Sequence, residues 1–316
     1  MISVVIPAFN ESRGIANTVS DVLSMLSKSG FHDSELIVVD DGSDDDTAAI
    51  AERSGAQVIQ NPVNLGYGAS LKRGIQMARH DTICIIDADL TYPVDRIPDL
   101  HLEYQRGFGM VVGARTGHHY SGGIFKGPLR KILKFMVEYA AGRKVPDANS
   151  GLRIFSKTAI LSFMPHLCDG FSFTTTMTIA LMRQGYPVGY FPIDYYHRAG
   201  STKVKLFQDA LKTSLYITQS LVYFAPMKLF LLFAFLVLCG SASAFFIGFM
   251  LGINAGYYLC LAGIVASVFF VAFGCLADLI SRLASDIRQP LTVRRARSRS
   301  SDRRPSEPAN LDAEDS

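Results

Sequence analysis

The sequence predicts an α/β domain with a doubly wound, mostly parallel β-sheet, followed by an interfacial helix and two membrane-spanning helices. Three observations carry this prediction. Short β-branched runs alternate with helix-period segments over roughly the first 115 residues, no charged residue occurs between Lys228 and Asp278, and 49% of the 316 residues are hydrophobic. Charged residues amount to only 19%, below the usual value of about 25%, which excludes disorder of the chain as a whole.

Five short runs near the start of the chain have the composition of β-strands. They are residues 3–9, 35–40, 57–60, 82–87 and 110–112. Their residues are apolar on both faces, as expected for parallel strands that helices cover from both sides. Between the first two runs, Ile15, Val19 and Val22 recur at helical spacing and predict an amphipathic helix.

The region from residue 127 to residue 198 is predicted to complete the same domain. It contains a predicted helix over 128–141, a strand over 152–155, a helix over 173–184 and a strand over 188–195. Four segments follow from these patterns: the α/β domain (1–202), a juxtamembrane amphipathic helix (203–226), two transmembrane helices (227–281) and a disordered tail, first basic and then acidic (282–316).

The uncharged stretch is long enough for two crossings of a bilayer, at about 1.5 Å per helical residue and about 30 Å per crossing. We expect spans over 229–251 and 257–279, separated by Asn254 and Gly256. A buried core hairpin is the alternative, but it would show a polar stripe that these segments lack. Residues 203–224 place Lys205, Asp209 and Lys212 opposite an apolar face, which suits a helix in the membrane interface; a soluble packing helix is the alternative.

Charge and cysteine content narrow the function classes. The net charge is +3, and no basic patch with interleaved aromatic residues occurs in the first two hundred residues, so no nucleic acid partner is expected. The five cysteines form no CxxC pair, which argues against a disulfide framework or a zinc site. We expect the α/β domain to lie in the cytosol.

Two carboxylates follow the fourth predicted strand, in the motif Asp87-Ala88-Asp89. In extended chain, alternate residues point to the same side, so both carboxylates can face one ligand. Oxygen ligands at this spacing suit Mg²⁺ or Mn²⁺, which keep positions open for substrate phosphates. An ordinary polar strand end is the alternative, but the pair lies at the carboxyl edge of a parallel sheet, where ligands bind.

Polar residues also follow the first and second predicted strands. The second ends in Asp40 and Asp41, which are well placed for ribose hydroxyls or a uracil-type base. The first ends near Pro7, Asn10 and Glu11, which begin a helix and offer polar groups to the same crevice. Alternatively, these polar residues form turns and cap helices, and the same residues can do this and also bind a ligand.

Residues 64–68 read Asn-Leu-Gly-Tyr-Gly but lack the third glycine of a dinucleotide fingerprint, where Leu71 stands. We therefore expect no nicotinamide cofactor. Gly68 is expected to let the backbone approach a diphosphate, with Lys72 as a cation one turn further on. Four cations flank the second half of the domain and suit a reaction between phosphorylated partners. They are Arg115, Arg130, Arg198 and Lys203.

Taken together in this order, the motifs resemble glycosyltransferase family 2. They are Pro7-Ala8-Phe9-Asn10-Glu11, Asp40-Asp41-Gly42-Ser43, Asn64-Leu65-Gly66-Tyr67-Gly68, Asp87-Ala88-Asp89 and Asn149-Ser150-Gly151-Leu152-Arg153. The resemblance covers residues 1 to about 205. It is nearest to the polyprenyl-phosphate glycosyltransferases, which include dolichol-phosphate mannose synthases and bacterial enzymes that use undecaprenyl phosphate. One departure is Thr91, where dolichol-phosphate mannose synthases often have Gln.

The resemblance implies a GT-A fold that binds a nucleotide sugar and inverts the anomeric centre. Asp40 would lie near the nucleotide, and Asp87 and Asp89 would lie at the diphosphate and a Mg²⁺ or Mn²⁺ ion. The four flanking cations would hold the phosphates of diphosphate and lipid, with Asp89, Arg115 and Arg130 as the catalytic residues. Pro7, Asn10, Glu11, Asp41, Gly68 and Lys72 would complete the nucleotide-sugar site.

The activity implied is transfer of a sugar from a UDP-linked or GDP-linked donor, with UDP favoured, to a polyprenyl phosphate for cell-envelope glycans. The expected location is the cytoplasmic membrane, with the α/β domain and the tail on the cytoplasmic side. A homo-oligomer is compatible with the sequence. One rival is a processive polysaccharide synthase, but its Gln-x-x-Arg-Trp motif is excluded because the sequence contains no tryptophan. A catalytically inactive membrane scaffold with the same fold is the other rival.

Overall fold

The computed structural model describes residues 1–116, 127–196 and 206–288, with the side chains of residues 127–130, 206–210, 282 and 284–288 excepted. The predicted cations Arg198 and Lys203 lie outside the described residues, and the side chain of Arg130 lies outside the described side chains. The predicted tail from residue 289 onward is likewise outside them.

One seven-stranded sheet forms the centre of the α/β domain, in the order β3-β2-β1-β4-β6-β5-β7. The strands are β1 (Ser3–Ala8), β2 (Glu35–Asp40), β3 (Gln57–Gln60), β4 (Thr82–Ile85), β5 (Met110–Thr116), β6 (Arg153–Ser156) and β7 (Val188–Asp194). All neighbours are parallel except that β6 runs antiparallel to both β4 and β5. The predicted doubly wound, mostly parallel sheet is confirmed, and the second half of the domain joins the same sheet.

Helices cover both faces of this sheet. They are α1 (Ile15–Lys28), α2 (Thr47–Arg53), α3 (Tyr67–Met77), α4 (Ile97–Tyr104), α5 (Gly127–Ala141), α6 (Lys157–Leu161) and α7 (Phe173–Arg183). One apolar core lies between the sheet and α1, α2 and α4, and the other between the sheet and α3, α6 and α7. Because both faces are covered, the central strands β1 and β2 are buried along their whole length, as the sequence predicts, whereas the edge strands β3 and β7 are partly exposed.

Two strand boundaries differ from the sequence prediction in a way that matters for function. Strand β4 ends at Ile85, so Asp87 and Asp89 lie in the loop that follows it rather than in the strand. Strand β5 continues to Thr116 because it pairs with β7 up to the register of Thr116 with Asp194. The reversed direction of β6 matters as well: Arg153 pairs with Ile85, which brings the preceding loop to the edge where β4 ends.

Three helices follow the sheet: α8 (Leu206–Phe224), α9 (Pro226–Leu251) and α10 (Ala255–Arg288). Ile217 and Leu221 of α8 are buried against the domain, whereas Leu211 and Leu215 are exposed. An exposed apolar face of this kind suits a membrane interface.

Pro226–Leu251 and Ala255–Ser281 are long and apolar enough to cross a membrane, and most of their side chains face outward. Apolar side chains exposed over two adjacent helices of this length are typical of contact with lipid. The helix α10 continues to Arg288, so the prediction that the disordered tail begins at residue 282 is wrong for residues 282–288.

Candidate active site

The loops after β1 and β2 are tied together by hydrogen bonds. The backbone N–H of Asn10 donates to Oγ of Ser43 at 2.9 Å, and the N–H of Asp44 donates to Oδ1 of Asn10 at 2.9 Å. The N–H of Glu11 donates to Oγ1 of Thr47 at 2.9 Å. These contacts bring the polar ends of the first two strands to one edge, as the sequence predicts.

Asn10 has a positive φ of 54°, which Asn tolerates better than most residues. Pro7 is buried inside β1, opposite Val39 in the sheet register. Its side chain therefore belongs to the core, and the expectation that Pro7 contacts the nucleotide sugar stays a prediction.

Asp40 and Asp41 have different roles. Asp40 accepts hydrogen bonds from the hydroxyl of Ser43 and, at 3.4 Å, from its N–H, and it lines a cleft of ≈ 350 Å³ together with Gln60 and Asn61. Asp41 instead accepts from Nδ2 of Asn61 at 2.7 Å and from the N–H groups of residues 65 and 66 at 3.0 and 2.9 Å. Asp41 is 3% exposed and holds the loop that precedes α3, and its expected contact with the nucleotide stays a prediction.

The glycines at the start of α3 are explained by packing. A Cβ at Gly68 would lie 2.3 Å from the carbonyl oxygen of Cys168, and a Cβ at Gly66 would lie 2.7 Å from that of Asp169. Lys72 donates to the carbonyl of Leu167 and to the carboxylate of Asp169, both at 2.6 Å. Gly68 and Lys72 therefore both contact the loop of residues 167–169, and their expected contact with a diphosphate stays a prediction.

Asp87 and Asp89 are both partly exposed, and the buried Ala88 between them points the other way. Tyr67 donates its hydroxyl to Oδ1 of Asp87 at 2.8 Å. Thr91 donates its hydroxyl to Oδ1 of Asp89 at 2.6 Å and its N–H to the same oxygen at 3.3 Å. Two partly exposed carboxylates thus flank a buried residue in the loop after β4, and the expectation that both face one ligand stays a prediction.

The loop before β6 approaches Asp87 from the other side. A Cβ at Gly151 would lie 2.3 to 2.5 Å from the carboxylate atoms of Asp87, so only glycine fits there. The N–H of Gly151 donates to the hydroxyl of Tyr92 at 2.7 Å. Burial and the negative charge of Asp87 raise the pKa of Tyr92 well above its usual range, because they outweigh the charge of Arg115 and the hydrogen bond with Gly151, so Tyr92 stays protonated.

The donor set fits a divalent cation. Two hard carboxylate oxygens on neighbouring positions of a loop suit Mg²⁺ or Mn²⁺ when substrate phosphates and water complete the coordination. Among the described residues no cluster of three or more His, Cys, Asp or Glu side chains occurs.

Arg115, one of the predicted phosphate ligands, is engaged by Asp147. Its Nε and Nη2 donate to the two carboxylate oxygens at 2.8 and 2.9 Å, and its backbone N–H donates at 3.2 Å. Burial acts to raise the pKa of Asp147, but hydrogen bonds from Arg115 and Asn149 and the charge of Arg115 outweigh it and hold the pKa below its usual range. The role of Arg115 as a phosphate ligand stays a prediction, and its geometry is that of a structural ion pair.

Arg153 is a buried residue whose importance the sequence analysis missed. It is fully buried and donates to the carbonyls of Ala148, Ser150 and Thr174 at 2.5, 2.8 and 3.0 Å, and to the hydroxyl of Thr178 at 2.6 Å. Arg153 thus fixes the loop that faces Asp87. A charged residue inside an otherwise apolar predicted strand is the signal that the sequence offers.

Comparison with known proteins identifies the family. The sequence model described as Glycosyl transferase family 2 matches residues 3–162. Glycosyltransferase AglD of Haloferax volcanii is 30% identical over 223 residues, which cover 66% of this chain and 35% of that protein. Undecaprenyl-phosphate 4-deoxy-4-formamido-L-arabinose transferase of Pseudomonas fluorescens is 29% identical over 310 residues, covering 91% of this chain and 86% of that protein. The chain thus spans about a third of the length of AglD and most of the length of the second relative.

Solved structures give the fold. Glucosyl-3-phosphoglycerate synthase from Mycobacterium tuberculosis, in complex with Mn²⁺, UDP-glucose and phosphoglyceric acid, superposes with a TM-score of 0.58 at 21% identity. The match covers 70% of this chain and 79% of that one. The α/β domain therefore has the GT-A architecture, as the resemblance implies. With the family model matching about half of the chain, this protein belongs to glycosyltransferase family 2.

Proposed function

We propose that this protein transfers a sugar from a nucleotide sugar to a polyprenyl phosphate, with inversion of the anomeric centre. The observation that carries the proposal is that Asp87 and Asp89 lie at the carboxyl edge of a GT-A domain whose chain continues into two helices of membrane length. Relatives with names of this kind include the Pseudomonas fluorescens transferase and a dolichyl-phosphate beta-glucosyltransferase of Trichomonas vaginalis, 24% identical over 239 residues.

The proposed reaction needs no general base. A lipid phosphate is anionic near neutral pH, so one of its oxygens attacks the anomeric carbon while the bond from that carbon to the diphosphate oxygen breaks. The nucleoside diphosphate leaves with the electron pair. The protein supplies positioning and charge neutralisation for this step.

We assign roles to the chain's residues accordingly. Asp40 and its cleft would hold the nucleoside, and Asp87 and Asp89 would hold a divalent cation, Mg²⁺ or Mn²⁺. When bound, the cation neutralises the developing charge of the departing diphosphate. Arg130, Arg198 and Lys203 would bind the acceptor phosphate, whereas Arg115 orients the segment around Asp147.

The two apolar helices would keep the domain at the bilayer, where the acceptor lies. The segment between them carries no charge, whereas arginines follow the second apolar span, Ala255–Ser281, closely from Arg282 onward. Positive flanks stay on the cytoplasmic side. The domain and the tail would then both face the cytoplasm, where a UDP-linked donor is the favoured substrate and a GDP-linked donor the alternative.

The test is a product assay with purified full-length protein, undecaprenyl phosphate, Mg²⁺ or Mn²⁺ and a panel of UDP- and GDP-sugars, with lipid-linked product detected by mass spectrometry. Asp89→Ala is the loss-of-function variant. Asp33→Ala is its matched control, because Asp33 is exposed and precedes β2, at the end of the sheet opposite Asp40. The proposal predicts a lipid-linked monosaccharide with wild type and Asp33→Ala only. A polymer would favour the synthase, and no product with any donor would favour the scaffold.

A further inference from the structure

Tyr67 lies in the first turn of α3, outside the pair of carboxylates that the sequence singles out. Its hydroxyl donates to Oδ1 of Asp87 at 2.8 Å. The hydrogen bond occupies one side of that oxygen and restricts rotation of the carboxylate. Through this hydrogen bond, Tyr67 connects α3 to the loop after β4.

The ring of Tyr67 is held in place by the loop before α7. The ring of Phe171 stacks on it, with centroids 5.8 Å apart and an interplanar angle of 20°. The N–H of Ala69 donates to the carbonyl of Asp169 at 2.9 Å, and Lys72 clamps the same loop. That loop also packs closely against the start of α3, since it leaves no space for a Cβ at Gly68.

The far side of Asp87 is equally restricted. The backbone of Gly151 leaves no space for even a Cβ beside the carboxylate, and its own position is fixed by Tyr92 and by the bonds of Arg153 to the preceding loop. The Asp87 carboxylate thus lies between the hydroxyl of Tyr67 and the backbone of Gly151. Only a narrow range of orientations is open to it.

We propose that Tyr67 is a positioning residue for Asp87: its hydroxyl, braced by Phe171, orients the carboxylate toward a divalent cation. The inference rests on the proposed function of Asp87 and Asp89 as cation ligands. Outer hydrogen-bond partners of metal ligands of this kind typically contribute about 10- to 100-fold to metal affinity. Tyr67 acts through Asp87 and touches neither substrate nor product.

The experiment measures Mn²⁺ binding directly. Full-length protein in detergent is titrated with Mn²⁺ in the presence of UDP and, in parallel, GDP, and free Mn²⁺ is followed by electron paramagnetic resonance. Tyr67→Phe removes only the hydroxyl. Tyr190→Phe is the matched control, because the hydroxyl of Tyr190 is buried with no hydrogen-bond partner among the described residues. Thermal melting without Mn²⁺ verifies that each variant is folded.

We expect Tyr67→Phe to bind Mn²⁺ at least about tenfold more weakly than wild type, and Tyr190→Phe to bind as wild type. If Tyr67→Phe is unstable, Phe171→Leu, which keeps the hydroxyl but removes the stacked ring, decides the question and should also weaken binding. Unchanged affinity in the folded variant overturns the inference while leaving the proposed cation site intact. Absence of Mn²⁺ binding to wild type with either nucleotide overturns the cation site and the inference together.

Discussion

Replacing Arg115 by alanine is expected to destabilise the α/β domain rather than to remove a substrate contact alone. The guanidinium of Arg115 is 14% exposed and the carboxylate of Asp147 is 3% exposed. They share two hydrogen bonds of 2.8 and 2.9 Å. Removing one partner of a buried ion pair costs about 3–5 kcal/mol, because the other charge is left buried.

The partial exposure of Arg115 argues for the lower end, about 3 kcal/mol. For a domain of this size that corresponds to a fall in melting temperature of about 6–12 °C. The assay is thermal unfolding of Arg115→Ala, Asp147→Asn and the double variant. Because the two residues are in contact, we expect the double variant to lose about 0.5–3 kcal/mol less than the sum of the single variants.

The pH dependence of the same measurement gives an independent check. The pKa of Asp147 is lowered in the folded protein from its usual value of 3.8, so the unfolded chain binds more protons in acid. The stabilisation by the ionised carboxylate is therefore complete above about pH 5 and lost as the pH falls below about 4. The stability difference between wild type and Asp147→Asn should shrink over that range.

If Arg115→Ala melts like wild type at neutral pH and shows no coupling to Asp147→Asn, the ion pair of Arg115 and Asp147 does not stabilise the domain. A large increase in the KM for the lipid phosphate, at unchanged melting temperature, would restore Arg115 to the role of a phosphate ligand. Nucleotide affinity, measured by titration calorimetry, should be unchanged in either case, because Arg115 lies away from the cleft at Asp40.

The carboxylate of Asp89, the packing of Gly68 and the orientation of the two apolar helices can each be tested by a single substitution. Asp89→Ala should abolish transfer at saturating Mg²⁺ or Mn²⁺ without lowering the melting temperature, because the carboxylate is partly exposed and serves the cation; near-normal turnover would exclude that role. Gly68→Ala should destabilise the domain by about 1–3 kcal/mol, since its Cβ would lie 2.3 Å from the carbonyl oxygen of Cys168; a wild-type denaturation curve would contradict the packing argument. A cysteine at Asn254, in a background without native cysteines, should react with a membrane-impermeant thiol reagent from outside, whereas one at Ser300 should not; the opposite labelling pattern would reverse the proposed orientation.

Much of the fold follows from local sequence patterns. Residues 35–40 and 57–60 form strands with the predicted bounds, because each run of β-branched residues is bounded by residues that end strands. The carboxylates Asp87 and Asp89 could be placed at the sheet edge for the same reason. Periodicity and strand ends are properties of neighbouring residues, so a single sequence contains them.

The partners of the site residues were not predictable in this way. Tyr67 meets Asp87 across 20 residues, and Arg115 meets Asp147 across 32. The glycine at position 68 is required by a loop about 100 residues later. Such contacts depend on how elements pack, and the residue types involved are equally compatible with a ligand. From the sequence alone, Gly68 and Lys72 therefore suit a diphosphate and a neighbouring loop equally well.

The topology of the sheet supports the proposal that Arg130, Arg198 and Lys203 belong to one acceptor site. Strands β5 and β7 are parallel neighbours and end side by side at Thr116 and Asp194, where the hydroxyl of Thr116 donates to the carbonyl of Ile193 at 2.9 Å. The two chain segments that follow these strands therefore start at the same corner of the sheet. One leads to α5, which carries Arg130, and the other includes Arg198 and Lys203 and leads through α8 to the first apolar helix. Since β6 and the loop facing Asp87 lie between β4 and β5, the proposed function places the anionic lipid headgroup at this corner, where these cations would neutralise its phosphate.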